Sequence, residues 1–303
     1  MKDFKDQIAF VTGGASGAGF GQAVVFAEAG CRIAIADIRR AAIDEALAKL
    51  RAQGVNAHGI QLDVTDRAAY ARAADEVEKV FGGPPELLFN TAGVNAFGPV
   101  EKSTYDDFDW LMSVNLGGVV NGMVTFVPRM IAAGRGGYIV TTSSIGGFAG
   151  SPAASIYSAA KAAVINLMES YRLGLAQYNI GVSVLCPANI RSNIAEATRL
   201  RPAHLGNTGY LVNEDVIRSL HSIHAHGLDP IVLARRTKEA MEAKQLYIIP
   251  YPEEKERLAQ HFREIVNSVL PMDADPDGAR ERTEALQNWI KDRQSLMSKG
   301  KDG

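Results

Sequence analysis

The strongest constraint on this chain is a short apolar run that empties into glycine. Gln7–Thr12 (QIAFVT) is rich enough in β-formers to read as a buried strand. Gly13, Gly14, Gly17, Gly19 and Gly21 follow, then an Ala/Val/Phe-rich helical segment ending near Gly30. A glycine turn between strand and helix lets the backbone approach a diphosphate, and the helix start offers free N–H groups and a positive dipole end. The spacing is T-G-x-x-x-G-x-G, on Thr12, Gly13, Gly17 and Gly19, and not G-x-G-x-x-G. Glycines that merely serve a tight turn are the plainer reading, and their place between strand and helix weighs against it.

The strand-then-helix unit recurs. Arg32–Ala36 is a second strand, and Asp37 follows at its end. An acid there can accept hydrogen bonds from an adenosine ribose and repels a 2′-phosphate, which favours NAD over NADP. Arg39 and Arg40 come next and could instead hold a phosphate; Asp37, at the strand end itself, carries more weight. A helix over 41–53 leads to a strand over 56–62 and then Asp63-Val64. Asp63 fits either an acid beside an adenine or a helix N-cap working with Thr65. A helix over 66–81, a turn over 82–85 and a strand over 87–89 close on Asn90-Thr91-Ala92-Gly93. After the acidic stretch 101–109, a long helical segment carries Trp110, Leu111, Val114, Asn115, Val119 and Met123. Asn115 is polar within an apolar stripe, ordinarily a core amide satisfied by backbone. Tyr138–Thr142 is a fifth strand running into Ser143-Ser144, and Gly181–Leu185 a sixth ending in Cys186-Pro187.

Such alternation means βαβ units, hence an α/β fold: a Rossmann-type, doubly wound parallel sheet of about seven strands. Ligands of such sheets bind outside the carboxyl ends of the strands. The glycine loop, Asp37, Asp63, Asn90, Ser144 and Pro187 all fall just after expected strands. The helix from Ser155 to about Tyr178 holds Tyr157 and Lys161, four positions apart and so on one face. A phenol beside a fixed cation ionises more easily, the adjustment a general base needs near neutrality. A solvated lysine and a half-buried tyrosine are the ordinary alternative.

Beyond residue 190 the rhythm breaks. Residues 190–240 are expected to form a substrate lid, with no clean period over 190–229. His221, His224 and His226 lie there without acidic or cysteine partners in sequence, so no metal is expected. The tail, 253–303, reads as an extension of two amphipathic helices, and the whole chain as a single domain over 1–303. A net charge of −2 provides no basic field for nucleic acid or anionic membrane. Cys31 and Cys186 lack metal spacing and read as reduced packing residues. No apolar run approaches roughly 18 residues and no secretory segment is visible, so a soluble, cytoplasmic protein is expected.

The motifs together resemble the short-chain dehydrogenase/reductase family. They stand as Thr12-Gly13-Gly14-Ala15-Ser16-Gly17-Ala18-Gly19, Asn90-Thr91-Ala92-Gly93, Asn115, Ser144, Tyr157-x-x-x-Lys161 and Pro187-Ala188-Asn189-Ile190-Arg191-Ser192. Thr91 stands where Asn or Ala is usual, and Ala188 and Ser192 where Gly and Thr are commonest. The resemblance implies Tyr157 as general base, Lys161 as its pKa-lowering partner and ribose ligand, Ser144 as the group orienting the substrate oxygen, and Asn115 as support for a proton-relay water. It implies NAD held by Gly13, Ser16, Gly17, Ala18, Gly19, Asp37, Asp63, Val64, Asn90, Tyr157, Lys161, Ile190 and Ser192, and a homo-oligomer, dimeric or tetrameric. The blocks MKDFKDQIAFVTGGASGAGFG, NTAGVNAFGPVEKSTYDDFDW and RLRPAHLGNTGY are further similar to the Cα-dehydrogenases of β-aryl ether lignin dimers. That likeness implies oxidation of a benzylic secondary alcohol to the ketone. Ser144, Phe97, Ile145, Phe148 and Tyr210 are the candidates to meet a bulky aromatic alcohol. The alternatives are a dehydrogenase of another bulky alcohol, steroid or hydroxyacyl, and a non-catalytic NAD sensor.

Overall fold

The computed structural model describes residues 4–299 apart from 212, 272 and 273. They fall into two compact units, Met1–Pro252 and Glu253–Gly303, and the second begins where the helical extension is expected.

In the first unit seven parallel strands form one sheet in the order β3-β2-β1-β4-β5-β6-β7. They are β1 (Ile8–Thr12), β2 (Arg32–Asp37), β3 (Ala57–Gln61), β4 (Leu87–Asn90), β5 (Gly137–Thr142), β6 (Ile180–Leu185) and β7 (Tyr247–Ile248). The helices are α1 (Gly17–Glu28), α2 (Arg40–Arg51), α3 (Arg67–Phe81), α4 (Tyr105–Met112), α5 (Gly118–Ala133), α6 (Ser155–Leu175), α7 (Glu214–Ala225) and α8 (Pro230–Glu242). Strand order reverses between β1 and β4, which opens a crevice at their carboxyl ends. The register aligns those ends, since Thr12 pairs with Ala36 on one side and Asn90 on the other.

Period-two alternation divides the core between the two faces of the sheet. From β1, Ile8 and Phe10 enter one cluster, in which Phe10 meets Phe126 of α5 at 4.7 Å between ring centres. Ala9 and Val11 enter the other, with Phe26 of α1 and Phe89 of β4 at the same separation, 4.7 Å. Burial of these aromatic and aliphatic side chains is the main stabilising contribution.

Four local features differ from the expectations. The cap of α3 is Asp66, whose carboxylate accepts from Ala69 N, while Asp63 closes a turn by accepting from Thr65 N at 2.9 Å and Thr65 Oγ1 at 2.7 Å. The acidic stretch is helical: α4 starts within it because Thr104 and Asp107 form a reciprocal capping box. A π turn over Ser113–Gly117 then joins α4 to α5. The resulting segment Tyr105–Ala133 is long and apolar enough to cross a membrane, a property the expectation missed; 56% of that window is buried within the protein, as in a core helix. Finally, the stretch expected as a lid is not irregular up to residue 240, because Pro230–Glu242 forms α8. Pro230 at its start packs directly against Gly21 of α1, so this helix belongs to the body of the fold and residues 190–229 alone remain for the expected cover, hereafter the covering segment.

The covering segment is made of short 3-10 pieces, Asn193–Leu200 and Ala203–Leu205, followed by α7. Such pieces have no sustained apolar period to betray them. The second unit holds α9 (Lys255–Asn267) and α10 (Pro276–Lys299).

Candidate active site

The loop from β1 to α1 is a cradle made by close approach. Gly17 has φ +51°, a conformation that disfavours side chains, and a Cβ on it would stand 2.9 Å from the Ser192 Cβ. A Cβ on Gly19 would collide with the Gly13 carbonyl oxygen. Ser16 caps α1 by backbone only, its side chain making no cap bond, so the N–H groups of the first turn are available to an anion. Ala18, behind the loop, packs on the second core cluster. This donor set and this open backbone fit a dinucleotide diphosphate.

Asp37 ends β2 where an adenosine ribose would lie, and it is not alone there. Arg39 donates to both of its carboxylate oxygens, Nε at 3.0 Å and Nη2 at 3.1 Å, and reaches across to the Ser16 hydroxyl at 2.8 Å. The bonds to Asp37 raise the Arg39 guanidinium above its ordinary value. Arg40 turns away to Asp44. Beyond β3, Asp63 is exposed and Val64 buried. Asn90 presents only its backbone at the strand end. Its side chain points into the core, donating to Thr141 Oγ1 at 3.3 Å and Met123 Sδ at 3.5 Å.

Thr91, where the family pattern has another residue, takes part in a polar floor beneath the crevice. Its hydroxyl donates to Gln22 Oε1 at 2.7 Å and accepts from Thr142 Oγ1 at 3.2 Å. The Thr142 carbonyl in turn accepts from Lys161 Nζ at 3.0 Å. Sequence reasoning missed Gln22, because a polar residue within an Ala/Val/Phe helix signals only that some partner must exist.

The remaining candidates converge on α6. Lys161 is 3% exposed, and its Nζ lies 5.6 Å from the centre of the Tyr157 ring. The Tyr157 and Ser144 hydroxyls share a hydrogen bond, and Ser144 also accepts from Gly146 N at 3.1 Å. Burial sets the titration here. It pushes the Lys161 ammonium down to about 8 and raises the Tyr157 hydroxyl above its ordinary value, with the Ser144 bond acting in the opposite sense on Tyr157. The direction at Tyr157 is therefore set by desolvation and is opposite to the lowering expected from Lys161. Cys186, pushed up to about 12 by burial, is a neutral neighbour.

Asn115 sits in the π turn, fully buried, and serves the Val94 backbone at both ends. Its Oδ1 accepts from Val94 N at 3.0 Å and its Nδ2 donates to Val94 O at 2.9 Å. The backbone-satisfied amide is thus what the structure contains. It also adjoins Lys161: a Cβ on Gly93 would lie 2.9 Å from Asn115 Oδ1 and 3.5 Å from Lys161 Nζ.

After β6, Ile190 bridges to Leu228, and Ser192 lies against Gly17. Of the aromatic-pocket candidates, Phe97 lines a cleft with Asn95, Thr198, Leu211, Ile217 and Leu220. Ile145 is buried beside Ser144, its N–H held by Pro187 O. Tyr210 instead packs with Trp110 and Ile156 and shares a hydrogen bond with Ser103 at 2.8 Å. Phe148 leans on the first core cluster, its ring 6.1 Å from Tyr247. Two of the three histidines are paired locally: His221 lies 3.4 Å from Glu196, and His226 contacts the Ser222 carbonyl at 3.0 Å.

The family model for short chain dehydrogenases matches residues 7–202. A C alpha-dehydrogenase of Sphingobium sp. strain SYK-6 is 64% identical over 300 residues, spanning 99% of this chain and 98% of that protein. The crystal structure of LigD in its apo form, from the same strain, superposes with a TM-score of 0.76 at 57% identity, covering 89% of this chain and 100% of that one. A short chain dehydrogenase/reductase of Burkholderia phymatum in complex with NAD superposes with a TM-score of 0.83 at 31% identity, covering 89% and 98%. A glycine cradle at one end of the crevice, Ser144, Tyr157 and Lys161 at the other, and a family match over most of the first unit lead to one conclusion: the chain belongs to the short-chain dehydrogenase/reductase family.

Proposed function

We propose that this protein is an NAD-dependent Cα-dehydrogenase that oxidises the benzylic secondary alcohol of arylglycerol-β-aryl ether dimers to the ketone. The observation that carries the reading is the 64% identity to a C alpha-dehydrogenase along nearly the entire chain, covering segment and extension included. Asp37 at the end of β2 supports NAD over NADP.

In this reading NAD supplies the hydride acceptor when bound. The chain supplies position and proton traffic. The Ser144 hydroxyl holds the alcohol oxygen, and Tyr157 takes its proton as hydride leaves the carbinol carbon. Lys161, charged below about 8, favours the tyrosinate that must form, and the Thr142 carbonyl keeps its head in place. Asn115 fixes the Val94 backbone beside Lys161 and so holds the wall of the site. Gly13, Ser16, Gly17, Ala18 and Gly19 would hold the diphosphate, Asp37, Asp63 and Val64 the adenosine, and the Asn90 backbone, Ile190 and Ser192 the nicotinamide side.

A small aromatic alcohol is the partner in solution. Exposed Val124 of α5 and Leu173 of α6 provide apolar surface for a second copy, which supports a homo-oligomer. The free, buried Cys31 and Cys186 support a reducing, cytoplasmic setting. The test is absorbance at the NADH band with a racemic β-aryl ether alcohol, then chiral analysis of the residue. NADH formation with ketone product is expected; turnover only of steroid or hydroxyacyl alcohols contradicts the reading.

A further inference from the structure

Two buried polar atoms without partners stand on one cleft. Asn95 is 4% exposed and its Oδ1 accepts no hydrogen bond; Thr198 Oγ1 is likewise buried and unpartnered. Both residues line the cleft between the segment after β4 and the covering segment, where Phe97, Leu211, Ile217 and Leu220 make apolar walls. Buried polar groups are almost always satisfied, so a pair left open on a shared cleft marks a place that a ligand completes.

The cleft adjoins the catalytic cluster through the backbone. Asn95 follows Val94, which Asn115 clamps at both its N–H and its carbonyl, and Gly93 before it lies against Lys161 Nζ. Asn95 is therefore carried on a wall that two backbone bonds hold in place. As closed here the cleft has room for little more than a water molecule, so a larger group would need the covering segment to shift outward to make room.

The chemistry of the two atoms selects the group. An amide oxygen only accepts, whereas a threonine hydroxyl can rotate to donate. A neutral phenol, with one donor and a free lone pair, satisfies both. Among the described residues no cationic side chain lines the cleft, which disfavours a phenolate or a carboxylate. Resting on the Cα-dehydrogenase reading, we propose that this cleft seats the aryl ring borne on the carbinol carbon, with its phenolic hydroxyl donating to Asn95 Oδ1 and accepting from the Thr198 hydroxyl. Asn95 and Thr198 are then specificity residues, remote from the proton transfer itself.

The test uses two β-aryl ether alcohols that differ only in that ring, one with a para-hydroxyl and one with hydrogen there. They are compared on the intact protein, Asn95→Leu and the shape-conserving Thr198→Val. The unaltered protein is expected to favour the phenol at least about tenfold in kcat/KM. Asn95→Leu removes that preference by lowering kcat/KM for the phenol about tenfold, with the hydrogen analogue within about twofold, and Thr198→Val moves in the same direction. Equal kcat/KM for the two alcohols in the unaltered protein overturns the proposal. So do variants that slow both substrates alike, as expected if the atoms only hold a structural water. If Asn95→Leu fails to fold, Thr198→Val decides between the same outcomes. Oxidation of neither alcohol removes the Cα-dehydrogenase reading and the subsite with it, a result distinct from equal oxidation of both.

Discussion

Asp107 of α4 and Arg201 of the covering segment meet at 2.6 Å across 94 residues of sequence. Asp107 is fully buried, and it also accepts from Thr208 Oγ1 at 2.7 Å, so one carboxylate fastens the middle of the covering segment to the body. Arg201 in turn lies over the Trp110 ring, 5.3 Å from its centre.

Removing one partner of such a pair strands the other charge. Asp107→Ala is expected to destabilise the protein by roughly 3–5 kcal/mol in denaturant unfolding, well above a surface ion pair. Burial pushes the Asp107 carboxyl up, but bonds from Thr208, Arg201 and Thr104 outweigh it and hold it below its ordinary value. Its stabilisation is therefore present above the unfolded value of roughly 3.9 and lost as pH falls through the folded value. The stability gap between the unaltered protein and Asp107→Asn should be constant above about pH 5 and narrow below about pH 4.

Arg39 changes what Asp37 means for the cofactor. Because Arg39 is tethered to Asp37, its charge is unavailable to a 2′-phosphate while the acid is present. Asp37→Ala should raise kcat/KM with NADP about tenfold or more, and Asp37→Ala with Arg39→Ala should lose that gain. Equal effects of the single and double variants would show that Arg39 plays no part.

Gly19→Ala tests the cradle without touching the chemistry. The added methyl meets the Gly13 carbonyl, so the loop must shift and NAD binding should weaken at least about tenfold by titration, with the fold retained by circular dichroism.

Lys161 links the site to stability at high pH. Its folded value, about 8, lies below the ordinary lysine value of roughly 10.4, so the folded state binds fewer protons between those values. The contribution of Lys161 should therefore rise with pH across that window, by on the order of 3 kcal/mol, read as the change with pH in the stability difference between the unaltered protein and Lys161→Met, because the raised Cys31 and Cys186 thiols act on total stability in the opposite sense.

The strand ends, the glycine cradle and the α6 pair were readable from period and turn residues, because each is a local pattern of a few positions. Orientation was not. Nothing adjacent to Asn90 or Asp63 in sequence says that one side chain turns into the core and the other closes a turn with Thr65. The π turn at Asn115 inserts a wider loop of backbone without a composition signature. The Asn95–Thr198 cleft and the Asp107–Arg201 bond join segments about a hundred positions apart, and short 3-10 pieces carry no period to announce them. Tyr157 illustrates the same limit in electrostatics, since helical spacing places Lys161 beside it but does not reveal how dry the pair becomes.

The proposed reaction stands on Tyr157 as the base. The direct measurement is single-turnover NADH formation by Tyr157→Phe with the β-aryl ether alcohol, alongside NAD affinity by titration. A rate at least about a thousandfold below that of the unaltered protein is expected, with NAD affinity within about threefold. Oxidation at the unaltered rate would contradict it.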